Sequence, residues 1–139
     1  IFLYQYNSRR GGTSRLGRDG STITNDGTVC LFQNNYDQNS IVEGDGSWDV
    51  GYDSNFEASN LNTIPIQEGQ LIYLSTPSSS LRIDTNNQNV PLHVAGWGNN
   101  NVIGLMSQID SFSYDGEILS IISGLIHIKL TLGRDMILR

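Results

Sequence analysis

The chain has 139 residues, enough for one domain with a buried core, and its single cysteine, Cys30, excludes an intrachain disulfide or a cysteine-rich zinc site. No apolar run approaches the roughly 20 residues of a membrane-spanning helix. Fifteen glycines and a single lysine favour turns and strands over helices, and the formal net charge of −6 argues against nucleic acid as a partner.

Residues 1–27 are predicted to form an N-terminal strand followed by a basic, glycine-rich arm. The first residue is Ile1 rather than Met, which indicates a processed product or a fragment. The first 18 residues contain no acidic side chain and four arginines, Arg9, Arg10, Arg15 and Arg18. Because the rest of the chain is acidic, we expect the arm to dock on an acidic neighbouring surface. A solvated arm is the alternative.

Residues 28–139 are predicted to form a single all-β domain. Thr28–Gln33 follows an Asn-Asp-Gly turn and is rich in branched and aromatic residues. In Leu71–Leu74 the residues Leu71 and Tyr73 alternate with Ile72 and Leu74, and apolar residues alternate with polar ones in Leu81–Ile83 and Ile126–Leu132. Each strand therefore has one face for the core and one wetter face. The first two of these runs flank a Pro-Ser turn and are expected to form a hairpin.

Seven to nine short strands with polar turns between them predict an antiparallel sandwich or a jelly-roll-like arrangement. No internal repeat of fixed period occurs, which argues against propellers and solenoids. One short helix near residues 117–124 remains an alternative, because Ile118, Ile121, Ile122 and Leu125 also fit helical spacing.

The sequence carries no catalytic motif, and we predict that the protein is not an enzyme. A nucleophile elbow of the Gly-x-Ser-x-Gly type and a His-Glu-x-x-His metal motif are both missing. Cys30, His93 and His127 lie within strand patterns rather than in the loops where catalytic groups usually occur.

An acidic, glycine-containing segment offers oxygen ligands for calcium, the one cofactor considered. The candidate ligands are Asp45, Ser47, Asp49 and Asp53. Calcium prefers six to eight such oxygens from a flexible loop. The alternative is a turn in which these side chains accept hydrogen bonds from their own backbone.

The same segment suggests a carbohydrate-binding site. Trp48, Tyr52 and Trp97 are candidate stacking platforms, and Asp45, Asp49 and Asn99 are candidate partners for sugar hydroxyls. The alternative is that both tryptophans are core or interface anchors.

The stretch IPIQEGQLIYLSTPSSSLRIDTNNQNVPL, residues 64–92, resembles a unit of structural and fibre proteins of tailed bacteriophages. In that unit Pro-x-x-x-Gly-Gln leads into an apolar strand, a polar turn and a Leu-x-Ile-Asp strand. The resemblance implies a non-enzymatic fibre, decoration or baseplate protein, located on the virion or outside the cell. Its expected partners are further copies of itself, other virion proteins and a cell-surface glycan. A lectin-like domain using the loop aromatics is the alternative function.

Overall fold

The computed structural model describes residues 2–4, 13–59, 61–84 and 91–132, the first three of them by their backbone. All regular structure in these ranges is β-strand. The strands are β1 (Phe2–Tyr4), β2 (Thr13–Ser14), β3 (Thr22–Thr24), β4 (Thr28–Phe32), β5 (Asn35–Gln38), β6 (Ile41–Glu43), β7 (Ser47–Val50), β8 (Asn55–Ser59), β9 (Leu71–Leu74), β10 (Ser80–Asp84), β11 (Leu92–Ala95), β12 (Val102–Leu105), β13 (Ser111–Tyr114), β14 (Ile118–Ser123) and β15 (Ile126–Leu132). No helix long and apolar enough to cross a membrane occurs in these ranges.

The strands form a β-solenoid of stacked coils. An eight-stranded sheet has the order β1-β4-β7-β9-β11-β15-β14-β13, and a five-stranded sheet has the order β12-β10-β8-β5-β2. A third, two-stranded sheet pairs β3 with β6, and a bridge from Val42 to Ile66 extends it by one coil. Through β12 the chain visits the sheets in turn, so that each strand pairs in parallel with its counterpart one coil away. Strands β13, β14 and β15 then form an antiparallel ribbon, which joins the eight-stranded sheet through the parallel pairing of β15 with β11.

This architecture corrects the predicted sandwich or jelly roll and the argument against a solenoid. In the eight-stranded sheet, Cys30 and Asp49 are register partners 19 residues apart, whereas Asp49 and Tyr73 are 24 apart. Val94 and Leu132 are also partners, at 38 residues. The first two intervals differ because the corners differ in length, and the third is longer because it contains β12 and the antiparallel strands β13 and β14. The stacked strands therefore have no fixed period in the sequence.

Alternation along each strand builds the core. In β7, Trp48 and Val50 point inwards and are buried, while Ser47 and Asp49 point outwards. The same inward column contains Tyr36 and Phe56 from the five-stranded sheet. The ring centroids of Tyr36 and Trp48 lie 4.8 Å apart, and Phe56 lies 5.2 Å from each of them. Aromatic pairs at this separation add to the stabilisation gained from burial.

Polar residues line the corner where each coil passes from the eight-stranded to the five-stranded sheet. Each of them is buried and directly precedes a strand of the five-stranded sheet. They are Asn34, Ser54, Ser79 and Asn101. The Ser79 hydroxyl donates to the carbonyls of Val50 and Gly51, and Asn101 Nδ2 donates to the Gly96 carbonyl at 2.7 Å. Carbonyls at the ends of the strands thereby gain side-chain partners, in addition to the backbone N–H groups of Ser75 and Ser54 that bind Val50 and Gly51.

The opposite corner depends on a glycine. Gly44 has a φ of 100°, and a Cβ at this position would lie 2.6 Å from the Asn25 carbonyl oxygen of the adjacent coil. Only glycine adopts this conformation at such a close approach without strain. The spacing of neighbouring coils at this corner is therefore set by the lack of a side chain.

Three local predictions need correction. β9 and β10 lie in different sheets, so the segments Leu71–Leu74 and Leu81–Ile83 do not form a hairpin. Residues 118–123 are strand β14 rather than a helix, because Leu119, Ile121 and Ser123 alternate inwards and pair with β15. Residues 13–27, assigned to an arm, contribute β2 and β3 to the solenoid, where they pair with β5 and β6.

Candidate ligand-contact face

Trp48, the first residue of the predicted sugar site, is completely buried. Its exposed fraction is 0 %, and its indole Nε1 donates to Gln70 Oε1 at 3.0 Å. Its ring is tilted against Tyr36 and in an edge contact with Phe56. This corrects the expectation of an exposed stacking platform, because a sugar cannot reach the ring.

The other predicted sugar-site residues lie apart. Tyr52 and Asn99 are exposed along the same corner, two coils from each other, and Asp45 lies in the turn at the other end of β7. Trp97 is half-buried and lines an apolar groove at the C-terminal end of the solenoid. The six residues therefore do not form one site.

The structure does not bring together the four predicted calcium ligands. Ser47 and Asp49 are on β7, whereas Asp45 precedes the strand and Asp53 follows it. A strand rises about 3.3 Å per residue, so Asp45 and Asp53 are separated by more than roughly 10 Å. Calcium ligands lie about 2.3–2.6 Å from the ion. Among the described residues, no group of three or more His, Cys, Asp or Glu side chains is arranged to hold a metal.

The basic residues of the predicted arm have different environments. Arg9 and Arg10 lie outside the described residues. Arg15 forms a salt bridge with Asp37 at 2.8 Å, and this hydrogen bond and charge raise the pKa of the Arg15 guanidinium. Arg18 is exposed in a turn closed by Ser21. Arg15 therefore joins two coils of its own chain.

An exposed apolar surface occurs on the outer face of the eight-stranded sheet. Its residues, which we call the aromatic patch, are Phe32, Tyr52, Leu71 and Tyr73. The rings of Phe32 and Tyr52 are 5.8 Å apart, and Leu71 and Tyr73 point outwards from β9. Apolar side chains grouped on a flat sheet face are typical of contact surfaces rather than of solvated strands.

Asp49 lies within the aromatic patch. It is the register partner of Tyr73 on one side and of Cys30 on the other. Its Oδ1 atom is buried and has no hydrogen-bond partner among the described residues. A buried acceptor without a partner is costly.

Sequence reasoning missed Phe32, Leu71 and Tyr73, although one signal was available. In Leu71–Leu74 all four residues are apolar or aromatic, so both faces of the strand carry apolar side chains. Only Ile72 and Leu74 are needed for the core. An apolar outward face on such a strand indicates a second contact.

The face does not assemble a Cys–His pair. Cys30 is on β4 and His93 on β11, and β7 and β9 lie between them. Strands in a sheet are about 4.8 Å apart, so the two side chains are separated by roughly 14 Å. A nucleophile and its base need hydrogen-bond contact.

Comparison with known proteins identifies close similarity to one group. A family model described as hyphally regulated cell wall protein N-terminal matches residues 1–135. The chain is 31% identical to hyphally regulated cell wall protein 3 of Candida albicans over 96% of its own length. It is 33% identical to cell wall protein IFF7 of the same fungus, again over 96% of its length.

The chain spans only a small part of these relatives: 11% of hyphally regulated cell wall protein 3 and 20% of cell wall protein IFF7. No solved structure matches. The matches overturn the bacteriophage resemblance, because the relatives are fungal cell wall proteins rather than parts of a virus particle. The described residues of the stretch that suggested a fibre unit, 64–84 and 91–92, form strands and corners of a solenoid.

Proposed function

The chain belongs to the hyphally regulated cell wall protein N-terminal family, and from this we propose that it is a non-enzymatic, extracellular module of a fungal cell wall protein. The observation that carries the proposal is the family match over residues 1–135. The stacked coils support it, because strands that are paired on both sides present a stable outer surface.

We further propose that the aromatic patch is the contact surface of this module and that it binds a wall or cell-surface glycan. Tyr52 and Tyr73 offer exposed rings for stacking on the apolar face of a pyranose, and the half-buried Asp49 carboxylate lies beside Tyr73 as an acceptor for a hydroxyl. Phe32 and Leu71 extend the apolar area on either side.

The location of the protein is tested by fractionation of the source organism with the tagged full-length protein. We expect the tag in the washed cell wall fraction and on intact cells stained without permeabilisation. A cytosolic marker protein controls for lysis. Recovery of the tag only with that marker would contradict a wall role.

The glycan contact is tested by titration of the purified protein with purified fungal wall polysaccharides. We expect Tyr73→Ala to weaken binding by roughly 5- to 150-fold, because loss of a stacking ring removes roughly 1–3 kcal/mol. Leu125→Ala is the matched control, since Leu125 is exposed in the β14–β15 turn away from the patch. Equal losses in both variants, or no binding by the unchanged protein, would refute the contact while leaving the wall location intact.

The non-enzymatic role is tested in the same samples. Incubation of the protein with each polysaccharide should release no reducing ends above the level of a heat-denatured sample. Release that depends on Asp49 would contradict the proposal.

A further inference from the structure

Asp49 places a negative charge beside the rings of the aromatic patch. It is half-buried and points outwards from β7, next to its register partner Tyr73 on β9. Paired strands lie about 4.8 Å apart, so the carboxylate and the phenol ring are neighbours on one face. Asp49 forms no salt bridge with a described residue, and its Oδ1 atom has no hydrogen-bond partner among them. The described part of the chain therefore leaves this charge unbalanced.

The arginine and lysine side chains of the described ranges lie away from the patch. They are Arg15, Arg18, Arg82 and Lys129. The three arginines belong to the strands and turns of the two smaller sheets. Lys129 is on β15, and the two strands β9 and β11 separate it from Asp49 by roughly 14 Å. The nearer of the two histidines, His93 on β11, is roughly 10 Å away. Charges at these distances are largely screened at ordinary salt concentrations, so they do not neutralise Asp49.

Two further carboxylates lie at the ends of the same strand. Asp53 directly follows Tyr52 and is exposed, and Asp45 is exposed in the turn before β7. They are too far from each other to share one ion with Asp49, but their charges add to the potential over this face. The aromatic patch therefore lies in a negative field, which attracts cations and repels anions.

Exposed rings and a carboxylate on one surface favour a ligand that carries an organic cation. The face of an aromatic ring attracts an ammonium group within about 6 Å of its centroid. An ammonium group also donates a hydrogen bond to a carboxylate and neutralises its charge, whereas a hydroxyl donates the hydrogen bond alone. The arrangement of Tyr73 and Asp49 therefore fits a pyranose with an amino substituent better than a neutral or acidic sugar.

We infer that the aromatic patch binds a glycan with free amino groups, of the glucosamine type. One sugar ring stacks on Tyr73, and its ammonium group pairs with the Asp49 carboxylate. The inference rests on the proposed glycan contact and names the class of sugar that this contact selects. Acetylation of the amino group removes the positive charge and with it the interaction with Asp49.

The test measures the affinity of the purified protein for three β-1,4-linked oligosaccharides of equal length, made of glucosamine, N-acetylglucosamine or glucose. These sugars differ only in the substituent at C2. At low salt and a mildly acidic pH that protonates the amines, we expect the glucosamine oligomer to bind roughly three- to tenfold more tightly than the other two. Added salt should reduce this preference.

The possible failures of this test are distinguishable. Equal affinity for the three oligomers would overturn the inference and leave the proposed glycan contact intact. Failure of the glucosamine oligomer to bind would also overturn the inference. The proposed contact itself would be refuted only if fungal wall polysaccharides failed to bind as well.

Variants separate recognition by the patch from general attraction to an acidic chain. Asp49→Asn keeps the shape of the side chain and removes its charge, so the three oligomers should then bind within about twofold of one another. Glu57→Gln is the matched control, because Glu57 is a half-buried carboxylate on the outward face of the five-stranded sheet, and it should retain the preference. Tyr73→Ala should weaken binding of all three oligomers.

Two results with these proteins would contradict the assignment. A glucosamine preference that survives Asp49→Asn, or binding that survives Tyr73→Ala, would show non-specific attraction and overturn the inference. A lysine oligopeptide that binds as tightly as the glucosamine oligomer, with the same dependence on Asp49 and Tyr73, would show that the site selects a basic peptide instead.

Discussion

Gln70 illustrates how single residues join neighbouring coils. Its Oε1 accepts hydrogen bonds from Trp48 Nε1 at 3.0 Å and Asn25 Nδ2 at 3.1 Å. Its Nε2 donates to the carbonyls of Asn25 at 2.8 Å and Glu43 at 3.2 Å. One buried amide therefore satisfies groups from the two preceding coils and joins three consecutive coils, and its loss would remove several of these hydrogen bonds.

Gln70→Leu should lower the free energy of unfolding by roughly 2–4 kcal/mol, because the indole N–H and the carbonyls of Asn25 and Glu43 each lose a hydrogen bond in a buried site. Gln67→Leu is the control, since Gln67 is the same residue type, exposed in the same turn. Urea denaturation measures both changes. Equal values for the two variants would show that the network contributes nothing specific.

Because of Tyr36, the free energy of unfolding depends on pH in the alkaline range. Burial raises the pKa of Tyr36 to about 12, from an ordinary value of 10. The phenol is therefore protonated in the folded state at a pH where it ionises in the unfolded state. Its contribution is fully present below pH 10 and is lost as the pH rises from 10 to 12.

We expect the difference in unfolding free energy between the unchanged protein and Tyr36→Phe to be constant up to about pH 9. Between pH 10 and 12 the unchanged protein should lose roughly 1–2 kcal/mol more than the variant. Denaturant titrations at several pH values measure this difference. Parallel curves for the two proteins across the range would contradict the raised pKa.

At the scale of elements, the inward face of β9 packs in the core, whereas its outward face belongs to the proposed contact surface. Ile72 and Leu74 of β9 are buried, and Leu71 and Tyr73 belong to the aromatic patch. Stability and ligand contact therefore divide between adjacent residues of the same strand. Substitutions in β9 can separate the two properties.

Ile72→Ala should lower the free energy of unfolding by about 2–5 kcal/mol, because it leaves a cavity in a packed core. Leu71→Ala, one residue away on the outward face, should change it by less than about 1 kcal/mol. Thermal or urea unfolding of the two variants provides the comparison. A larger loss for Leu71→Ala than for Ile72→Ala would mean that the faces of β9 are assigned the wrong way round.

The positions of many strands could be predicted from sequence, but their partners could not. The predicted strand at Ile126–Leu132 has the bounds of β15, and Thr28–Gln33 exceeds β4 by one residue. A strand with one buried face has the same alternation in a sandwich and in a solenoid. The two folds differ only in which strands pair, and a local sequence pattern does not show a partner strand that is 19–38 residues away.

The candidate site was predictable to a smaller extent. Tyr52 and Asp49 are outward-facing, as the predicted sugar site required, but Trp48 is not. The alternation in Ser47–Val50 places Trp48 on the same side as Val50, which indicates the core. The contribution of Tyr73 depends on the lateral stacking of β7 and β9, and sequence spacing alone does not reveal it.

At the scale of the whole molecule, the unequal lengths of the corners indicate where the solenoid tolerates inserted residues. The coil between β8 and β9 has a long exposed corner around Asn62, and the coils still stack in register on both sides of it. The cost of closing a loop rises slowly with its length, by about 0.6 kcal/mol for each doubling.

Insertion of four Gly-Ser residues after Asn62 should therefore reduce the free energy of unfolding by less than roughly 1 kcal/mol. The same insertion between Ile72 and Tyr73 should prevent folding, because it breaks the ladder of β9 with β7 and β11. Circular dichroism and urea denaturation distinguish these outcomes. Loss of structure after the Asn62 insertion would show that the corner, too, is under length constraint.

The direction of the hydrogen bonds between coils has a mechanical consequence. In parallel ladders such as β7 with β4 and β9, these bonds run along the solenoid axis. Tension along that axis would pull on the hydrogen bonds between one pair of coils at a time and separate the coils one after another. Tension across the axis would load a whole ladder in shear at once. The molecule is thus mechanically anisotropic, and single-molecule pulling from the two directions should give small sequential steps in the first case and one larger rupture in the second.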